Sequence, residues 1–306
     1  MKILVATEKP FAPVAIQGIK KEAEEAGHEL LLLEKYTDKQ QLLDAVQDVD
    51  ALIVRSDKIT TEVLDAAKEL KIVVRAGAGY DNIDTAYAKE KGIVVENTPG
   101  QNSNAVAELV FGLLVYAVRN FYNGKAGTEL KGKKLGILAF GNVGRNVARV
   151  AKGFGMEVCA YDAFCPKESI EAAGVTAVAS QEELFDNCDV VSLHIPATPE
   201  TRESINAALC SRMKKGAILI NTARKEVINE PELLQLLQER TDLKYITDIM
   251  PDMNADFEAK LEGRYFSTPK KMGAQTAEAN INAGIAAAKQ INAYFSEGCT
   301  KFQVNK

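Results

Sequence analysis

Apolar residues along this chain come in short, nearly unbroken runs, separated by stretches in which they recur every three or four positions. KILVA, ELLLLE, ALIVR, KIVVR and GIVVE fall in the first hundred residues, with helical stretches such as 13–26, closed by Gly27, and 61–69 among them. Runs without polar alternation predict strands buried on both faces. Strands spaced by helices predict a parallel sheet clothed by helices on each side. A longer helical pattern covers 103–121, and NGKAGTELKGKK then breaks it with three glycines. The alternation resumes through KLGILAF, MEVCAYD, DVVSLHI, GAILINT, LKYITDI and RYFST, and an alanine-rich helix is expected over 275–296, ending near Gly298. The pattern predicts an α/β chain of two doubly wound parallel-sheet domains, Rossmann-like or flavodoxin-like.

Composition adds bounds. At 306 residues and 46% hydrophobic content, two domains can each bury a core. A net charge of −5 speaks against nucleic acid as a bulk partner. The five cysteines are odd in number and form no CxxC or Cys/His cluster, so reduced thiols are expected, with neither a disulfide framework nor a metal site. MKILVATEKP is charged too soon for a signal peptide and no apolar run approaches ~18 residues, so a soluble, cytoplasmic protein is expected. Histidine is scarce: His28 and His194 are the whole supply.

The most informative stretch is LGILAFGNVGRNVARVAKGFGMEVCAYD. A strand is expected to end at Ala139. Gly141, Asn142, Val143 and Gly144 lead into a helix, and a second strand closes on Asp162. Such a turn lets backbone approach a pyrophosphate at a helix N-terminus, where free N–H groups and the dipole favour anions. Asp162 would accept from a ribose 2′-hydroxyl and repel a 2′-phosphate. Ala139 stands where the fingerprint has its first glycine, and a strand–turn–helix that binds nothing is the plain alternative.

Thr222, Ala223 and Arg224 follow another buried run, at the strand end where parallel sheets bind ligands. A guanidinium there can grip a carboxylate bidentately, or form an ordinary surface ion pair. In the first part of the chain, Arg55 and Ser56 also follow a strand, with Lys58 nearby. Ala78 and Gly79 offer backbone N–H groups to an anion. Asn102 and Ser103 open the long helix, where simple capping is the alternative.

Taken in order, VRS, RAGAGYDNID, NTPGQNS, LGILAFGNVGR, HIPATPETR, NTARKEVIN and the strand running to Asp248 resemble the D-2-hydroxyacid dehydrogenase family over almost the whole chain. Within it they are most similar to the branch that oxidises 3-phospho-D-glycerate to 3-phosphohydroxypyruvate with NAD, at the entry to serine synthesis. The resemblance implies a substrate-binding domain from residues 1–97 with 281–306, an NAD-binding domain from 98–280, and an active site in a cleft between them. Ala78 and Gly79 would hold the substrate carboxylate, and Arg224 that carboxylate and the reacting oxygen. Arg55, Ser56 and Asn102, with Lys58, would reach the phosphate. Asp248 would meet the nicotinamide carboxamide. Pro196, Thr201, Thr222, Ala223 and Gly273 would line the cofactor. His194 matches a place beside the adenine, or is simply a satisfied strand-end histidine. A homodimer through the cofactor domains is implied, with no metal, nucleic-acid or membrane partner.

Two departures go together. The family carries a catalytic histidine after the last strand, and a glutamate orients it. Here the first place reads TPKKMGAQTAEA and the second TDIMPDMNADFE, which puts Met253 where the glutamate is expected. Alignment on Gly273, Thr276 and Glu278 sets Lys271 in the histidine's place; alignment on Pro269 sets Lys270 there. An ammonium has no tautomer to choose, so an orienting carboxylate loses its purpose. Lys271 is therefore the expected acid/base, working as a base only if burial and positive neighbours push it toward ~7–8. The tryptophan-bearing segment common after the long helix is absent, and no regulatory domain is expected beyond the returning helix. The rival readings are a dehydrogenase for glyoxylate, hydroxypyruvate or D-lactate, and an NAD-binding sensor that has lost catalysis.

Overall fold

A computed structural model describes all 306 residues. They form two compact units, Met1–Asn102 with Gln275–Lys306, and Ser103–Ala274. These junctions differ slightly from those expected. Residues 98–102 stay with the first unit, where the Thr98 amide donates to Gly77 O, and 275–280 join it because Asn280 accepts from Arg55.

In the first unit, β1 (Lys2–Thr7), β2 (Glu29–Glu34), β3 (Ala51–Val54), β4 (Ile72–Arg75) and β5 (Val94–Asn97) form one parallel sheet in the order β2-β1-β3-β4-β5. Consecutive strand residues point to opposite faces. Leu4, Leu52, Val73 and Val95 enter one core, while Ile3, Val5, Ile53 and Val74 enter the other. The second face is covered by the helices Pro13–Glu25 and Ala277–Glu297. Their glycines explain how closely they meet: a Cβ on Gly18 would lie 2.6 Å from Ile285, and one on Gly284 would lie 2.9 Å from Ile19. The later helix is capped by the Thr276 hydroxyl and stopped by Gly298 at φ 66°.

In the second unit, seven parallel strands run in the order β12-β11-β10-β9-β6-β7-β8. They are β6 (Lys134–Leu138), β7 (Glu157–Tyr161), β8 (Thr176–Ala177), β9 (Val190–Leu193), β10 (Ile218–Asn221), β11 (Lys244–Thr247) and β12 (Tyr265–Ser267). Apolar cores lie on both faces here too. The fold class is that expected from the pattern.

Three elements differ in extent. The helix expected over 61–69 ends at Ala66, because Ala67 leaves helical geometry at ψ 76°. The helix over 103–121 ends at Val118, and Asn120, Phe121 and Tyr122 follow at φ 51°, 55° and 55°. That left-handed turn is held by Tyr116 against both rings and by Asn120, which bonds Ala126 O and Lys244. The strand expected to end at Ala139 ends at Leu138, and Ala139 sits at φ 77°. No helix is long and apolar enough to cross a membrane.

Candidate active site

All seven strands of the second unit point the same way, so their carboxyl ends share one edge. Leu138 is registered with Tyr161 and Leu193, Asn221 with Leu193 and Thr247, and Thr247 with Ser267. The residues that come next, Ala139, Asp162, His194, Thr222, Asp248 and Thr268, therefore stand in one row. This is where a parallel sheet presents chemistry to a ligand.

At Ala139 the chain turns in a conformation that glycine adopts more easily, then enters the helix Asn142–Gly153 through Gly141, with no side chain capping its first amides. The two glycines differ. A Cβ on Gly144 would lie 2.4 Å from Ala139 O, so Gly144 permits helix and turn to touch. A Cβ on Gly141 would meet nothing within 4 Å, so the space before the free amides of Asn142 and Val143 is open. Asp162 closes the turn: Oδ2 accepts from Phe140 N at 2.7 Å, and Oδ1 from Phe164 N and Cys165 N at 2.8 Å. A carboxylate offers about four acceptor directions, so three amides leave one for a hydroxyl.

His194 follows β9, with Nε2 2.9 Å from Ser192 Oγ. Part of its surface is accessible, yet crowding by protein pushes its pKa down to about 3, so the ring is neutral. Beyond it, the Thr201 hydroxyl donates to Pro196 O at 2.6 Å and accepts from Thr198 N at 2.8 Å, which closes a turn through 196–201.

At the end of β10, Asn221 fixes the turn that follows, a role its place in the sequence does not announce. Its Oδ1 accepts from Ala223 N, and its Nδ2 donates to Arg224 O, both at 2.9 Å. The turn so fixed leaves the Thr222 hydroxyl buried without a partner. Arg224 Nη1 donates to Ala223 O at 2.9 Å, and Lys271 Nζ donates to that same oxygen at 3.0 Å. Two cationic side chains thus meet at one strand end. Lys270 is exposed, and its ammonium has no partner.

Asp248 is fully buried, and its oxygens accept from Thr268 Oγ1, Met272 N and Gly273 N at 3.0, 2.8 and 2.7 Å. Where the orienting glutamate was expected, Met253 opens the helix Asn254–Lys260. A carboxylate is nonetheless close by: Glu230 accepts the amides of Asp252 and Met253 at 3.1 and 2.8 Å, and Lys225 pairs with Asp252 at 2.5 Å. Glu230 and Thr268 carried no motif; a Thr ending a buried run was the only hint of the latter. No group of three His, Cys, Asp or Glu side chains is placed to hold a metal ion.

In the first unit, the amides of Ala78 and Gly79 donate to no acceptor of the chain, and Asn97 Nδ2 holds Ala78 O at 2.6 Å. Ser56 and Lys58 are exposed, and Asn102 is half-buried without a side-chain partner. Arg55, expected to reach the phosphate, is already engaged by its own unit. Its guanidinium donates to Lys9 O, Pro10 O and Asn280 Oδ1 at 3.0, 3.2 and 2.6 Å and packs over Phe11, so it also ties this unit together.

Residues 116–268 match the family model described as D-isomer specific 2-hydroxyacid dehydrogenase, NAD binding domain. A D-3-phosphoglycerate dehydrogenase of Methanocaldococcus jannaschii is 39% identical over 268 residues, 83% of this chain and 51% of that protein. The chain thus spans about half the length of that relative. A hydroxypyruvate reductase of Thermotoga maritima is 41% identical over 221 residues, 68% of this chain and 71% of its own. Among solved structures, NAD+-bound 3-phosphoglycerate dehydrogenase of Entamoeba histolytica has a TM-score of 0.88 and 48% identity, covering 100% of this chain and 99% of that one.

Proposed function

The chain belongs to the D-isomer-specific 2-hydroxyacid dehydrogenases, and from that premise we propose that it oxidises 3-phospho-D-glycerate to 3-phosphohydroxypyruvate with NAD. The observation that carries this reading is the meeting of Arg224 and Lys271 at Ala223 O, in the row that also holds the dinucleotide turn.

The residues present fit the cofactor. Open space before the amides of Asn142 and Val143 suits a pyrophosphate, Asp162 retains one acceptor direction for a ribose hydroxyl, and the orphaned Thr222 hydroxyl needs a polar partner. Gly144 and Gly273 keep backbone close to the site, and His194, Pro196, Thr201 and Ala223 line it. Bound NAD supplies the hydride acceptor. Arg224 orients the substrate's acid group and polarises the oxygen at C2. Lys271, as the neutral amine, takes the hydroxyl proton while the C2 hydrogen leaves with its electron pair, so that a carbonyl forms. Arg55, Ser56, Lys58 and Asn102, with the amides of Ala78 and Gly79, are assigned to the substrate's anionic groups.

A second reading, reduction of hydroxypyruvate, is favoured by the likeness to the Thermotoga maritima reductase. We further assign the protein to the cytoplasm and to a homodimer joined through the second unit. Exposed Tyr122 and Phe154 give that unit apolar surface to bury. The test is NADH formation by the purified protein with 3-phosphoglycerate, beside glycerate and lactate, and NADH consumption with hydroxypyruvate. Preference for the phosphorylated acid supports the first reading. Turnover of hydroxypyruvate alone supports the second. Binding of NAD with no turnover of any 2-hydroxy acid overturns both.

A further inference from the structure

We propose that the Thr268 hydroxyl and the Asp248 carboxylate position Lys271 for proton transfer, by fixing the backbone on either side of it. The proposal rests on Lys271 being the proton-transfer group.

Thr268 follows β12 and Asp248 follows β11, and both are buried. The Thr268 hydroxyl lies 3.0 Å from Asp248 Oδ1 and 2.8 Å from Lys270 O, so its single proton serves two acceptors. Asp248 then receives the amides of Met272 and Gly273. These contacts bracket Lys271: the carbonyl before it and the two amides after it are pinned to one buried carboxylate and its hydroxyl partner. Pro269 restricts the loop further by fixing its own φ. A Cβ on Gly273 would lie 2.9 Å from Asp248 Oδ2, so the loop cannot come this close with another residue there.

The coupling runs both ways. A carboxylate withdrawn from water needs its hydrogen bonds, and most of those available to Asp248 come from this loop. Letting the loop slide by one residue would strand the charge, and would also exchange Lys271 for Lys270. A lysine stem is long and flexible, so a nitrogen held to catalytic tolerance needs a backbone that does not move. The family's carboxylate orients an imidazole directly; here a carboxylate orients the main chain that carries the amine.

Thr268→Val keeps the shape and removes the hydroxyl, while Thr268→Ser keeps the hydroxyl. Thr268→Val lowers kcat by about 10- to 100-fold, the scale of a misplaced reacting group. KM for the hydroxy acid and the affinity for NADH, followed by its fluorescence, change less than about twofold, and Thr268→Ser stays close to wild type. In a Lys271→Ala background, adding Thr268→Val causes no further loss, because the group it positions is already gone. Retained kcat in Thr268→Val, or an equal loss in both backgrounds, overturns the proposal; the latter is also what simple misfolding would give. Full activity of Lys271→Ala alone removes the acid/base reading, and the positioning role falls with it.

Discussion

Lys271 Nζ and Arg224 Nη1 donate to one carbonyl oxygen, that of Ala223, at 3.0 and 2.9 Å. Lys271→Ala is expected to lower kcat by ~10²–10⁴-fold, the usual worth of a positioned acid/base, with NADH affinity nearly intact. Lys270→Ala stays near wild type. Oxidation of the hydroxy acid accelerates as pH rises, because only the deprotonated amine accepts the proton, and this limb disappears in Lys271→Ala. Lys271→His does not recover full rate, since Met253 supplies no carboxylate to orient an imidazole. A crippled Lys270→Ala would mean that Lys270, not Lys271, transfers the proton.

Substitutions at Gly141 and Gly144 are expected to separate cofactor binding from folding. Gly141→Ala has room within the protein, so its melting temperature is expected to stay within a few degrees, while NAD affinity drops at least about 10-fold as the methyl enters pyrophosphate space. Gly144→Ala forces a Cβ onto Ala139 O and is expected to cost about 1–3 kcal/mol in urea unfolding. Equal behaviour of the two variants would show that the open space at Gly141 is not where the cofactor lies.

Asp162 puts a negative charge just past β7, so NAD is expected to be preferred to NADP. Its bonds to Phe140, Phe164 and Cys165 make it structural as well, so Asp162→Ala is expected to lose stability along with the preference. Asp162→Asn separates the roles, since it keeps an acceptor but loses the charge. The ratio of kcat/KM for the two cofactors is the readout, and equality in the wild type contradicts the placement.

Arg55→Ala is expected to raise KM for the phosphorylated acid more than for its phosphate-free analogue. It should also destabilise the first unit, because three acceptors lose their donor. Arg55→Lys retains charge without the forked geometry and should recover KM better than stability. A uniform loss on both substrates would reduce Arg55 to a structural tie.

His194 gives a pH-dependent contribution to stability with a definite sign. The unfolded chain binds its proton near the ordinary 6.5, while the folded protein holds off until about 3. Between these values the unfolded state carries more protons, so stability falls as pH drops through that window. Urea midpoints measured at about pH 7.5 and about pH 5 should differ more for the wild type than for His194→Gln. Identical shifts would mean that the imidazole titrates freely in the folded chain.

Strand and helix order were legible because runs such as ALIV and ILIN have too few polar residues to be anything but buried in a parallel sheet. The turn at Gly141 was legible for a related reason, since glycine spacing encodes how closely backbone can approach. The grip on Ala223 O was not. It joins Ala223, just past β10, to Lys271, past β12, which are 48 positions apart and are brought near each other by pairing of both strands with β11. Asn221 and Glu230 escaped notice because their partners are backbone atoms, which leave no trace in side-chain identity, and Thr268 because its side-chain partner, Asp248, lies 20 positions away on a neighbouring strand end. The ends of helices failed where tertiary contacts outweighed periodicity, as at Asn120–Tyr122, where aromatic packing on Tyr116 holds a left-handed turn.

The second unit is one unbroken stretch of chain, whereas the first is built from both ends of it. On a ribosome, the five-stranded sheet emerges early with the surface formed by Ile3, Val5, Ile53 and Val74 only partly clothed. The residues that complete that face, Ala283, Ala287, Ala288 and Ile291, are made after the entire second unit. The notch at Gly18 must therefore wait, apolar and open to water, until Ile285 arrives to fill it. Vectorial synthesis lets the dinucleotide unit finish first, and the helix Ala277–Glu297, which seals the first unit's sheet, is made only after it.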